Sequence, residues 1–238
     1  MTTVWQPHAT RLLAAPRAPW RRLLLSALLA FVACCALAER DVAALHQQLI
    51  ARFGPARVVL LEDWLATVNA ATALPDEAKL QRINDFVNRN IAFDADSAVW
   101  QQNDYWATPL ETIGQGRGDC EDFTILKYVS LRLAGVAESR LRLIYVKARL
   151  NTPSGPLQQA HMVLAYYATP NAEPLVLDNL DVAIRPASRR TDLQPVFSFN
   201  GEGIYAGISG KNKATAGGIS RLSRWEDVLR RIRAENYE

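Results

Sequence analysis

Gly114-Gln-Gly-Arg-Gly-Asp-Cys-Glu-Asp122 is the stretch from which the rest of the chain can be read. Its glycines allow turn conformations that a Cβ would forbid. The apolar run that follows, Phe123 to Ala134, has helical spacing. Cys120 is therefore delivered to the start of a helix, where unpaired backbone N–H groups and the positive end of the helix dipole favour thiolate, the nucleophilic form. Asp119, Glu121 and Asp122 crowd the same turn and act in the opposite sense, because negative neighbours raise the pKa of a thiol. One or two acids in a first helical turn simply complement the dipole. Three of them around a group that must become negative set up a conflict. A bound Ca²⁺ would resolve it, since it takes hard oxygen ligands and Asp119 and Glu121 straddle the cysteine. The spacing is not that of an EF-hand.

The chain has 238 residues, enough for one well-buried domain, and a formal net charge of +3 that gives no reason to expect a nucleic-acid partner. Arg11, Arg17, Arg21 and Arg22 precede an apolar run from Leu23 to Leu37, no acid occurs before Glu39, and the run closes on Ala36-Leu-Ala38. This is the pattern of a secretory signal peptide over residues 1–38, too short for a comfortable membrane span. Its removal would take Cys34, Cys35 and His8, leaving Cys120 with His46 and His161. That inventory builds neither a disulfide scaffold nor a Cys/His zinc site. A lone thiol in an exported protein is a buried bystander or a nucleophile.

Residues 39–238 read as a single domain, with a helical part over 41–92, a core over 93–206 and a C-terminal loop and helix over 207–238. Asp41 to Phe53, Val58 to Ala71 and a segment opened by Pro75-Asp76 each carry an apolar helical stripe. His46 lies beside the first stripe and reads as a packing or surface residue. Phe93 to Thr108 is aromatic and acidic and is expected to be an ordered loop whose Trp100 and Trp106 meet a partner or substrate. Gly135 is a C-cap candidate for the central helix. Leu141 to Leu150 and Gln159 to Tyr167 alternate with period two around a turn at Asn151 to Pro156, Pro174 to Asp178 gives a third strand, and Phe197 to Tyr205 a hairpin at Asn200-Gly201. Gly207 to Gly218 is polar and glycine-rich and is expected to be a mobile loop. Leu222, Trp225, Leu229 and Ile232 mark a C-terminal helix. Helices first and an antiparallel sheet after give an α+β class, with the cysteine helix packed on the sheet in a papain-like manner.

A cysteine hydrolase needs a thiolate, a general base and a group that orients the base. Cys120, His161 and Asp178 fall in the order helix, strand, strand. Singly, His161 reads as a satisfied strand histidine and Asp178 as a turn residue; together they make a triad the better account. Asp181 is the nearest rival to Asp178. The Cys120 N–H would serve an oxyanion hole, with Tyr105 and Trp106 as candidates for the second donor. A transglutaminase-type acyl transferase and a non-catalytic binding module are the alternatives to a protease.

Asp104-Tyr-Trp-Ala-Thr-Pro109, Gly118-Asp-Cys-Glu-Asp122, Ala160-His-Met-Val-Leu164, Leu175-Val-Leu-Asp-Asn179 and Pro195-Val-Phe-Ser-Phe-Asn200 resemble the bacterial transglutaminase-like cysteine proteinases, in particular their periplasmic biofilm-dispersal members. The resemblance implies a papain/transglutaminase-like α+β fold and a triad of Cys120, His161 and Asp178. It implies calcium dependence with Asp119 and Glu121 as ligands, and Asp122 and Asn103 as further candidates. It also implies a periplasmic enzyme that cuts a large surface adhesin near its N-terminus, beside paired alanines, and is held inactive by the periplasmic domain of an inner-membrane cyclic di-GMP receptor.

Overall fold

Apolar residues three and four apart on the N-terminal third become three helices. The computed structural model describes residues 42–206 and 219–237; the expected leader and the expected mobile loop at 207–218 lie outside the described residues. Helix α1 spans 42–53, α2 Val58–Ala71 and α3 Asp76–Asn90. They bury the expected stripes, among them Leu45, Leu49, Leu61, Trp64, Leu80 and Ile83. Each such apolar side chain contributes about 1.5–3 kcal/mol by leaving water. Trp64 can be fully buried because its indole N–H donates to Ser130 Oγ at 2.7 Å. His46 takes the quiet role expected of it, with Nδ1 2.8 Å from the Val42 carbonyl.

The stretch read as one ordered loop contains more structure than that. Ala92–Phe93 forms β1 and Asp96–Val99 a single helical turn, α4. Pro109–Gln115 forms α5, so Gly114 and Gln115 close a helix rather than open a turn. Thr108 caps α5 in a reciprocal box with Glu111, Pro109 occupies its first turn, and Gly116 ends it at φ 68°, in the left-handed region. Arg117–Gly118 then forms β2 and pairs in parallel with β1, which pins the cysteine turn beside the end of α3. Trp106 is not a surface aromatic: it is 3 % exposed and stacks on Phe199 with ring centroids 5.7 Å apart. A large ring in this position packs into the core, and the expectation that it lies exposed on a loop is corrected.

Helix α6, Cys120–Leu133, begins three residues before the apolar run, because Asp119 serves as its N-cap by accepting the Glu121 N–H. It ends in a Schellman motif: the N–H groups of Gly135 and Val136 return to the carbonyls of Arg132 and Leu131. The sheet follows: β3 (Leu141–Thr152), β4 (Gly155–Tyr166), β5 (Leu175–Leu177), β6 (Arg185–Pro186), β7 (Leu193–Asn200) and β8 (Gly203–Ala206). All pairings are antiparallel, in the order β6-β5-β4-β3-β7-β8. The β3–β4 hairpin is tighter than expected, with Thr152 opposite Gly155. One face of the sheet packs α6 through Leu143, Met162 and Leu164; the other gathers Ile144, Val146, Val163 and Val176 into a smaller cluster.

Helix α7, Ile219–Glu235, buries Trp225 of the expected stripe and, beside it, Val228, while Leu229 and Ile232 are partly buried against the core. It is bolted to α1 and α5 by charge. Glu111, on α5, accepts from Arg52 at 2.5 Å and from Arg231; Glu235 accepts from the Thr108 hydroxyl at 2.6 Å and from Arg52 at 3.2 Å. Arg231 also donates to the Trp106 carbonyl at 2.5 Å. Helices on one side of a six-stranded antiparallel sheet, with the cysteine helix against it, make this an α+β fold of the papain/transglutaminase-like kind.

Candidate active site

Cys120 stands in the first turn of α6 and is 9 % exposed. Its position is set from three sides. Asp119 caps the helix below it, the Met162 N–H of β4 faces its sulfur from the sheet, and its thiol donates to Glu121 Oε2 at 2.8 Å. Thr124, one turn on, donates to the Met162 carbonyl at 3.1 Å and locks α6 to β4 at this level. Burial, followed by the charges of Glu121 and Asp119, pushes the Cys120 thiol well up; the Met162 N–H opposes them. Two of the three carboxylates, Glu121 and Asp119, thus oppose the thiolate in the folded protein as expected.

The residue before Met162 is His161, 3 % exposed, with Nε2 2.7 Å from Asp178 Oδ1. Asp178 follows β5 and is held at every polar atom. The N–H groups of Asn179 and Leu180 also reach Oδ1, at 2.7 and 3.1 Å; Arg190 reaches Oδ2 at 2.7 Å; Lys127 and Asn88 both donate to its carbonyl at 2.9 Å. Burial alone would raise the Asp178 carboxyl; the hydrogen bond and charge of His161, the Leu180 N–H and Arg190 outweigh it and hold it at about 2. Lys127, buried on α6, is lowered to about 7 by its own desolvation, against the pull of Asp178. Asp181 turns away, accepting from Arg185 at 2.7 Å.

Arg190 was not visible in the sequence. It lies past β6, is 4 % exposed and is itself fixed by Asp192 through Nε at 3.0 Å. Because the folded carboxyl of Asp178 lies below its unfolded value near 4, its contribution is complete above about pH 4 and is lost as pH falls toward about 2. Arg190→Met should therefore cost about 3 kcal/mol at neutral pH, as removal of one member of a buried ion pair does. The deficit should shrink as pH falls from about 4 toward about 2, where the folded Asp178 becomes protonated. Urea unfolding at the two pH values measures both; a deficit independent of pH would separate Arg190 from Asp178.

The acids form a second group. Asp96, Asp119 and Asp122 bring carboxylate oxygens within 4.8 Å of one another, and Asp119, Cys120 and Glu121 do the same on the thiol side. Asp119 belongs to both. A cavity of about 370 Å³ opens beside them, lined by Asp96, Asp119 and Glu121 together with Asn103, Asp104 and Trp106. Asp122 is fully buried behind it, accepting the Ala107 N–H on Oδ1 at 2.8 Å, while its Oδ2 and the Oδ1 of Asp96 are buried without a hydrogen-bond partner. Gly118 is required here, since a Cβ would stand 2.3 Å from Asp122 Oδ2. Burial, then the Asp119 charge, raise Asp96 to about 6 against the Tyr105 N–H; burial, then Glu121, raise Asp119 to about 8; burial, then Asp119, hold Asp122 well above the usual carboxylate range. Two orphaned oxygens amid crowded, desolvated carboxylates are the chemistry of a hard divalent cation site, and the donor set fits Ca²⁺. Asp96 was missed in the sequence, where nothing local links it to residues more than twenty positions later. Of the two candidate oxyanion donors, Tyr105 commits its N–H to Asp96 at 2.5 Å and its hydroxyl to Glu111 at 3.0 Å. Trp106 lines the cavity wall, with its indole N–H committed to Asp104 at 3.0 Å.

Residues 65–194 match the family model described as bacterial transglutaminase-like cysteine proteinase. Among solved structures, Legionella pneumophila LapG is similar at 33 % identity and TM-score 0.64, covering 80 % of this chain and 97 % of that one. Its calcium-bound form is similar at 34 % identity and TM-score 0.65, covering 80 % and 98 %. Its EGTA-treated form is similar at 32 % and 0.66, covering 80 % and 97 %. No curated protein sequence matches the chain. With the family model spanning more than half of the sequence and one-third identity to a solved relative across most of it, the chain belongs to the bacterial transglutaminase-like cysteine proteinases.

Proposed function

We propose that the protein is a calcium-dependent cysteine endopeptidase of the periplasm. It cuts the N-terminal region of a large surface adhesin beside paired alanines, releases the adhesin and so disperses biofilm, and the periplasmic domain of an inner-membrane cyclic di-GMP receptor restrains it. The observation that carries the catalytic reading is the nucleophile-and-base register: Thr124 ties the cysteine helix to Met162 of β4 at 3.1 Å, and the adjacent His161 is tied to Asp178 at 2.7 Å. The similarity to LapG in a calcium-bound form supports the metal, and the basic leader with its Ala-x-Ala end supports export. No helix among the described residues is long and apolar enough to cross a membrane.

With Nε2 engaged by Asp178, Nδ1 is the His161 nitrogen that serves the thiol. The thiolate attacks a peptide carbonyl carbon, and the oxygen's developing charge is met by the Cys120 N–H. The C–N bond breaks as imidazolium gives its proton to the leaving amine. Water then gives a proton to His161 and attacks the thioester, and the thiol is restored. Asp178, gripped by Arg190, keeps the ring in one orientation through both halves. Calcium, bound through Asp96, Asp119, Asp122 and Glu121 with Asn103 at the cavity rim, would supply positive charge that cancels the carboxylates opposing the thiolate.

Incubation of the protein lacking residues 1–38 with the N-terminal region of a candidate adhesin tests this. One cut is expected with Ca²⁺ and none in excess EGTA. An uncut substrate in Ca²⁺ would remove the protease reading, and equal cleavage in EGTA would remove the metal. Product mass distinguishes hydrolysis, which adds water, from acyl transfer to an amine, which loses ammonia.

A further inference from the structure

Strand β4 pairs with β3 along its whole length, but on its other side only Leu164–Tyr166 meets β5. Among the described residues no strand covers that edge from 155 to 163. The direction of its backbone groups follows from the ladder. Thr152 and Gly155 close a two-residue hairpin, so odd-numbered residues of β4 point their N–H and C=O toward β3 and even-numbered ones point outward. Met162 obeys the rule: its carbonyl turns outward to accept from Thr124 of the cysteine helix at 3.1 Å. Ala160 and Gln158 therefore turn the same groups outward, in line with the sulfur and about 7 Å apart along the strand. Pro156, the next outward position, has no N–H to offer, so the donor-bearing edge stops at Gln158.

Side-chain burial changes at the same place. Positions 155–160 of β4 are not buried on either face, and every residue from His161 to Tyr166 is. The sheet face that α6 covers thus continues bare beyond Cys120. There Tyr145, Lys147, Gln158, Ala160 and Val196 line a trench of about 340 Å³, which shares Tyr145 and Ala160 with the cavity beside the acids.

Resting on the protease reading above, we propose that this edge and trench are the substrate site: an unfolded segment of the target polypeptide binds as an extra strand on β4, paired with the outward backbone of Ala160 and Gln158. Ala160 is the specificity-determining position, since it leaves the trench open immediately before the thiol. A folded loop or a small amide would gain nothing from such an edge, whereas an extended chain satisfies its own N–H and C=O groups on it.

Two variants test this with a proteome-derived peptide library, read by mass spectrometry in excess Ca²⁺. Ala160→Leu fills the trench; Ala160→Pro removes only the outward N–H, a change an edge strand accepts. Library cleavage should fall by about tenfold or more in both, the equivalent of a lost backbone hydrogen bond or a blocked contact. Alkylation of Cys120 by iodoacetamide, which needs no strand, should stay within about twofold. A wild-type protein that cuts peptides and variants that cut them equally well would overturn this proposal alone. Alkylation falling in step with cleavage would place the effect on the thiol and also overturn it. A wild-type protein that alkylates but cuts no peptide would overturn the protease reading and this site with it.

Discussion

Replacing Cys120 by Ala is expected to lower peptide hydrolysis by at least about 10³-fold, because it removes the nucleophile that forms the acyl intermediate. His161→Ala should lose about as much, and the double variant little more, since residues that act as one unit are not additive. The fold should survive the cysteine change. The sulfur packs in the main core but is 9 % exposed, and alanine keeps the Cβ at that position. The thiol is moreover the donor in a bond to Glu121 whose carboxylate has Asp119 as a second neighbour. Hydrolysis of an adhesin N-terminal segment and thermal unfolding of the same preparations measure the two effects. Retained cleavage in Cys120→Ala would transfer the chemistry to another residue and end the cysteine mechanism.

The second large effect concerns Asp96. Asp96→Asn should weaken calcium binding by about 10- to 100-fold, as loss of a charged ligand does. Its consequence for the calcium-free protein should have the opposite sign. Burial and the Asp119 charge hold the Asp96 carboxyl at about 6, above its unfolded value near 4. Its ionised form therefore opposes folding, increasingly as pH rises from about 4 to about 6 and fully above that. The amide removes that opposition and keeps an oxygen for the Tyr105 N–H. Without metal, at about pH 7, Asp96→Asn should melt at the same or a higher temperature than the natural protein. With metal it should lose the calcium-induced rise. Calorimetric titration and melting curves with and without EGTA provide both numbers, and neither depends on a substrate. A variant that melts lower without metal and still gains the full calcium shift would show Asp96 to be a structural acid only.

What the sequence disclosed and what it withheld follow from the range of the forces involved. The long helices and the strands were legible because burial repeats every 3.6 or 2 residues along the chain. Their observed bounds, Val58–Ala71 above all, follow that repeat. Helix α5 was legible too and went unread: Thr108-Pro-Leu-Glu111 carries a cap, a proline in the first turn and a returning glutamate. The pairing of His161 with Asp178 was within reach because adjacent strands place them together. Asp96 and Arg190 were not within reach. Each meets its partners across elements that touch only after folding, and neither position carries a local mark. Trp106 was misread for a related reason. An aromatic in an acidic segment looks exposed until β7 supplies Phe199 as a neighbour.

Glu111 has one further implication. Arg52 from the first described helix and Arg231 from the last converge on its carboxylate, and the same Arg231 holds the carbonyl of Trp106. The beginning and the end of the folded body are thereby knotted at one spot, a single step from the doorway to the thiol. Shortening the polypeptide from either extremity would slacken the same knot, so trimming far from the sulfur in sequence should be felt at its threshold.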